Sequence, residues 1–159
     1  MNNKKFSHLD EHGQAKMVDV GEKIESKRLA VAKCKVSMAP ETLTALKEQS
    51  IKKGDVLAIA RIAGIQAAKR TSELIPLCHP IFVNSVVVDF KIISNGVEIE
   101  STVESLGRTG VEMEALTACS VASLTIYDMC KSLDRSMTVE NLGLWKKTGG
   151  KSGDWERQV

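Results

Sequence analysis

Four ionisable side chains interrupt the otherwise apolar stretch TGVEMEALTACSVASLTIYDMCK, residues 109–131. Glu112 and Glu114 stand near its start, Asp128 and Lys131 at its end. Burying a charge without a partner is expensive, so each needs a reason. Asp128 and Lys131 are three apart and can pair on one helix face as a plain salt bridge. The same pair can also serve as a catalytic acid and base held on a rigid element. On one unbroken helix, Glu114 and Asp128 are 14 residues apart, roughly 21 Å along the axis. Three arrangements remain open: the helix starts after Glu114, its two ends serve different sites, or one site is shared between copies.

Other residues carry chemistry. Cys78 and His79 lie in LIPLCHP, residues 74–80, between two prolines that fix the backbone. A rigid His there is an acid, a base or a phosphate donor, or an ordinary surface connector residue. Adjacent side chains in an extended chain point to opposite sides, which disfavours Cys78 as a nucleophile activated by His79. Lys53 precedes a helix start, where an anion also meets free N–H groups. Arg61, Lys69 and Arg70 fall on one helix, and Lys146, Lys147 and Lys151 flank a Gly-Gly turn. Lysines are mostly solvated surface, yet a Gly-rich basic tail can clamp a phosphate.

The elements that must position these groups are legible from periodicity. Apolar residues alternate from Ala30 to Met38, predicting a half-buried strand. Pro40 and Glu41 open a helix that ends near Ser50. Asp55 caps a longer one reaching about Glu73, with a stripe of Val56, Ile59, Ala60, Ala63 and Ala67, and Pro76 stops it. A strand over 82–93, the Ser94-Asn95-Gly96 turn and a strand over 97–106 predict a hairpin. The long helix over 109–131, apolar almost all round, is expected to be buried. A last strand over 137–145 follows. The expected fold is α+β, a ferredoxin-like split βαβ. Its antiparallel four-stranded sheet is packed by helices on one face, with an extra helix in the first crossover. One domain over 1–159 is expected, with residues 1–25 irregular and a flexible tail over 147–159.

Composition narrows the function. The net charge of +2, from 22 basic and 20 acidic residues, is too balanced for binding nucleic acid by bulk charge. No apolar run approaches the roughly 20 residues that span a bilayer. The polar N-terminus lacks a secretory core. Cysteines 34, 78, 119 and 130 form no Cys-x-x-Cys pair and read as free thiols of an intracellular protein. Gly150-Lys151-Ser152 imitates a phosphate-binding loop, but Trp145 stands where that motif needs glycine. His8 and His12 have helical metal spacing without an evident third ligand. The few aromatic residues match no RNA-binding signature.

Several segments together resemble the MoaC family, the cyclic pyranopterin monophosphate synthases of molybdenum cofactor biosynthesis. They are MVDV at 17–20, KGD at 53–55, ARIAGIQAAKRT at 60–71, LIPLCHP at 74–80, TGVEMEALTA at 109–118, LTIYDMCK at 124–131 and GGKSGD at 149–154. They span nearly the whole chain in order. The first dozen and the last few residues match least.

The resemblance implies a cytoplasmic lyase on a ferredoxin-like fold. Its substrate is the 3′,8-cyclised dihydro-GTP made by a radical S-adenosylmethionine enzyme, and its products are cyclic pyranopterin monophosphate and diphosphate. It implies a homohexamer, a trimer of dimers with active sites between subunits; no cofactor, bound metal, nucleic acid or membrane is expected from the residues, and whether a divalent metal assists the phosphates is left open. Asp128 and Lys131 match the family's catalytic pair. Leu77, Cys78, His79, Met113 and Glu114 match its substrate-binding segments. Glu112, Lys53, Lys147 and Arg28, whose flanks diverge, match other pocket positions. If Lys53 and Asp128 come from different subunits, mixing copies that lack one or the other should restore activity. The competing class is a non-enzymatic nucleotide or phosphate sensor on the same fold. Internal carboxylates argue against it, since an anion sensor gains nothing from placing them near its ligand.

Overall fold

The computed structural model describes residues 12–158. The elements run β1 (Ser26–Ser37), α1 (Pro40–Lys47), α2 (Val56–Lys69), α3 (Thr71–Leu74), β2 (Ser85–Ile93), β3 (Gly96–Gly107), α4 (Glu112–Cys130), β4 (Thr138–Thr148) and β5 (Trp155–Glu156). All strand pairs are antiparallel, in the order β2-β3-β1-β4-β5. The first four strands in that order form the ferredoxin-like sheet. The fifth is a two-residue addition from the tail, so the sheet has five strands where four were expected.

Register explains the layering. β1 sets Ala30, Ala32, Cys34 and Val36 opposite Val103, Ser101, Ile99 and Val97 of β3. All eight are buried beneath the helices. Intervening positions such as Lys33, Lys35, Glu98 and Glu100 point to the other face, as the two-residue period requires. Helices α2 and α4 cover the inner face. A Cβ at Gly64 would stand 3.0 Å from the Ala118 carbonyl oxygen and 3.3 Å from Ala122. Glycine at 64 and alanines at 60, 118 and 122 therefore let the two helices approach closely.

The sequence boundaries shift in instructive ways. Asp55 caps α2, its Oδ1 accepting the Ala58 N–H at 3.0 Å. The helix expected to reach Glu73 breaks at Arg70, where ψ rises to 14°, and resumes as α3. β2 starts at Ser85, not Phe82, whose side chain is exposed. The hairpin forms with a two-residue loop, Ser94 and Asn95, since Ile93 pairs with Gly96. A Cβ at Gly96 would lie 2.0 Å from the Val36 carbonyl oxygen, so that position admits only glycine. The long helix is unbroken from Glu112 to Cys130. It is not buried all round: Leu124 is 60% exposed, because helices form only one layer over the sheet. β4 runs on to Thr148, so Lys147 belongs to a strand. Among the described residues no helix is long and apolar enough to cross a membrane. His8, half of the metal spacing, lies outside the described residues.

Candidate functional site

Three groups of the singled-out residues come together, at two ends of α4. Lys53, Asp128 and Lys131 meet at its C-terminal end. One Asp128 oxygen lies 2.6 Å from Lys131 Nζ, the other 2.9 Å from Lys53 Nζ. Lys53 also donates to the Asp128 backbone carbonyl at 2.8 Å. Gly54, at a φ of 103°, shapes the turn that aims Lys53 there. A carboxylate in the last turn of a helix faces the negative end of the dipole, which the two ammoniums offset. Hydrogen bonds from Lys131 first, then Lys53, hold its carboxyl down at about 2. Asp128 is therefore ionised at any physiological pH. The salt-bridge reading of Asp128 and Lys131 is thus correct as geometry, and Lys53 makes it a triad. All three groups meet within one chain, so the condition that Lys53 and Asp128 come from different copies is not met.

At the N-terminal end of α4 a cleft of about 420 Å³ is lined by Leu77, Cys78, His79, Glu112, Met113 and Glu114, together with Val18, Val20 and Ile81. The proline-flanked segment and the first turn of α4 thus form one wall pair. His79 Nε2 lies 2.6 Å from the Val18 carbonyl oxygen. A carbonyl only accepts, so Nε2 carries the proton and Nδ1 is left as an acceptor in neutral His79. Cys78 is no activated nucleophile: burial first, then the Glu114 carboxylate, push its thiol up.

Glu114 is 3% exposed. Desolvation, with a smaller contribution from the neighbouring Glu112, raises its carboxyl to about 7. Between its ordinary 4.5 and about 7 the folded state holds the proton more tightly, so stability falls as pH rises through that window. Glu114→Gln removes that loss. Its Tm is expected to exceed the parent's by at least about 2 °C at pH 8 and to equal it at pH 4. Equal Tm values at both pH values in thermal melts would show that ionising Glu114 costs nothing.

A second cleft, about 250 Å³, adjoins the first and shares Lys23, Thr109, Gly110 and Glu112 with it. Lys23, Arg28, Arg108, Lys147 and Lys151 line it, and among the described residues Glu112 is the one carboxylate beside them. Arg28 is 8% exposed; its Nε donates to the Gly107 carbonyl at 3.2 Å. Among the described residues no carboxylate pairs with it. A buried cation without a counter-charge attracts an anion. A Cβ at Gly150 would fall 1.8 Å from Arg28 Nη1, and one at Gly149 2.2 Å from the Lys27 carbonyl oxygen. The Gly-Gly turn therefore lies directly on Arg28.

Sequence reasoning missed Lys23 and Arg108. Arg108 donates to the Gly21 carbonyl at 3.0 Å and faces Glu25 at 3.9 Å. Its position between a strand end and a helix start was the available signal. Of the other cations considered, Arg61 serves structure: it donates to the Val88 carbonyl at 2.8 Å and lies over the Phe90 ring. Lys69 and Arg70 line neither cleft. The Asp128 triad and the two clefts stand at opposite ends of one continuous helix, which rules out a helix starting after Glu114.

These features define a ferredoxin-like α+β protein with a polar cleft opening into a cationic one, suited to a small anionic ligand. A family model described as MoaC family matches residues 17–150, and the chain belongs to that family. A protein of Thermomicrobium roseum named cyclic pyranopterin monophosphate synthase is 57% identical over 155 residues, 96% of this chain and 93% of its own. One of the same name from Peptoclostridium acidaminophilum is 51% identical over 153 residues, covering 96% and 98%. Another, from Roseiflexus sp., is 57% identical over 152 residues, covering 94% and 96%.

Proposed function

We propose that the chain is a cyclic pyranopterin monophosphate synthase, a lyase acting on 3′,8-cyclo-7,8-dihydro-GTP in molybdenum cofactor biosynthesis. The names of relatives that match nearly the full length support this reading. The observation that carries it is the division of α4: a Lys–Asp–Lys triad at one end, a cluster of cations at the other.

The reaction has two parts, and each needs one end. The purine ring must open and close again as a pterin, which requires proton transfers. A carboxylate held at about 2 is a weak proton acceptor at neutral pH. Asp128 therefore acts as a fixed anion that orients Lys131, and Lys131 gives and recovers the proton. A sugar hydroxyl then attacks the α-phosphate and expels diphosphate. Charge grows on the leaving group, and Arg28, Lys147, Lys151, Lys23 and Arg108 stabilise it. Glu112, Glu114, Met113, Leu77, Cys78 and His79 hold the rest of the nucleotide in the adjoining cleft. One helix cannot bring both ends to one substrate, so the active site lies between copies of the chain. A homohexamer, built as a trimer of dimers, meets that need. The protein works in the cytoplasm on the product of a radical S-adenosylmethionine enzyme.

The test is to incubate purified protein with that product and follow it by mass spectrometry. Loss of substrate with equal gains of cyclic pyranopterin monophosphate and diphosphate is the expected result. Untouched substrate, or diphosphate release without a pterin, overturns the reading. Lys147→Ala is expected to weaken substrate binding more at low salt than at high salt, because exposed charges are screened within about 10 Å at 0.1 M. An affinity equal to the parent's across that range would make Lys147 ordinary surface.

A further inference from the structure

The cationic cleft is closed on one side by the 149–154 turn, which lies against Lys27 and Arg28 and, among the described residues, is hydrogen-bonded mainly within itself. Gly149, Gly150 and Gly153 have φ of 85°, 82° and 68°, so three glycines must be ordered at high entropic cost. Within the turn, Gly149 N–H donates to Asp154 Oδ1 at 3.0 Å and Gly153 N–H to the Gly150 carbonyl at 3.1 Å. Lys147 reaches across it to the Ser152 hydroxyl. Beyond the turn, β5 pairs only Glu156 with Lys146 and Trp155 with Lys147. A two-residue strand is marginal by itself.

Arg157 supplies the missing anchor. Its guanidinium lies 4.9 Å from the Trp145 ring centre and 6.0 Å from that of Trp155. Its Nε donates to the Leu144 carbonyl at 2.8 Å, and its own N–H to the Trp145 carbonyl at 2.8 Å. One side chain thus ties the end of the tail back to the strand that precedes the turn. A side chain at 143 would crowd it, since a Cβ there lies 2.9 Å from Arg157 Nη2, and that position is glycine. Arg157 does not line the cleft. We propose that Arg157, latched on Trp145 and Trp155, is a positioning residue that sets the 149–154 turn, with Lys147 and Lys151, for phosphate binding. Losing the latch raises the ordering cost that the ligand must meet, so affinity falls while the chemical step is spared.

Arg157→Ala and Arg157→Lys in the full chain test this. Hydrogen exchange at the Gly149 and Gly153 amides reads the turn, and calorimetry with inorganic diphosphate reads the anion site. Both tryptophans of the chain belong to the latch, so intrinsic fluorescence reports its opening directly. Arg157→Ala is expected to speed exchange at both amides and to weaken diphosphate binding by roughly 3- to 10-fold. The KM should rise by a similar factor, with kcat within about twofold. Arg157→Lys keeps a cation at the rings and loses the Nε bond, so it should fall between. Unchanged exchange would show that there is no latch. Faster exchange with unchanged diphosphate affinity would show a latch that only stabilises the tail. The KM measurement alone rests on the synthase reading. If the parent turned over no substrate, that reading would fail, while exchange and diphosphate binding would still decide the role of Arg157.

Discussion

Asp128→Asn is expected to fold like the parent and to lose about 100-fold or more of its turnover, the usual scale for disabling acid–base machinery. The side chain is exposed and its partners are two lysines, so no core packing is lost. The amide keeps the shape and removes the charge that holds both ammoniums. Lys131 then loses its fixed orientation, and Lys53 keeps only the backbone carbonyl of residue 128. The pH dependence has a definite sign. A carboxyl depressed to about 2 favours folding above its ordinary 3.8, and that contribution fades as pH falls towards 2. No titration of Asp128 falls near neutrality, so any pH dependence of the loss between about pH 6 and 9 comes from another group. Near-parental turnover in a folded Asp128→Asn protein would remove this residue from the mechanism.

Mixing two impaired copies is expected to rebuild activity, provided that the copies belong to opposite ends of α4. An Asp128→Asn copy retains its clefts, and a Lys147→Ala/Lys151→Ala copy retains its triad. In a two-fold dimer whose sites each combine one copy's triad with its partner's clefts, a mixed dimer has one intact site and one doubly impaired. Random mixing makes half of the dimers mixed, so activity should recover to roughly a quarter of the parent's at low substrate. Mixing Asp128→Asn with Lys53→Ala should give no recovery, because both changes strike the same triad within one chain. Subunit exchange with no gain over the mean of the first two variants would place the whole site within one copy.

Local signals sufficed for most of the architecture. Alternation marked β1 and β3, Asp55 marked the start of α2, and Asn95-Gly96 marked the hairpin, because each rests on the backbone preferences of a few adjacent residues. Segment motifs also picked out Leu77, Cys78, His79, Glu112, Met113 and Glu114, which the structure brings to one cleft. β5 was invisible because two exposed residues carry no periodicity; only pairing with Lys146 and Lys147 defines it. Asp134 was equally silent. It is buried and accepts the Ala39 N–H at 2.8 Å, along with the Ser136 N–H and hydroxyl, a structural role visible only across 95 residues of chain.

The sequence by itself determined the element types, the family resemblance and the chemistry available, because those depend on residue identity and local spacing. Only the tertiary structure decided which charges meet. It set Lys53 on Asp128 across 75 residues and gathered Lys23, Arg28, Arg108, Lys147 and Lys151 around one cleft. It also buried Glu114, turning an ordinary carboxyl into one that titrates at about 7. Electrostatic interactions depend on distance and desolvation in space, and neither can be read along the chain.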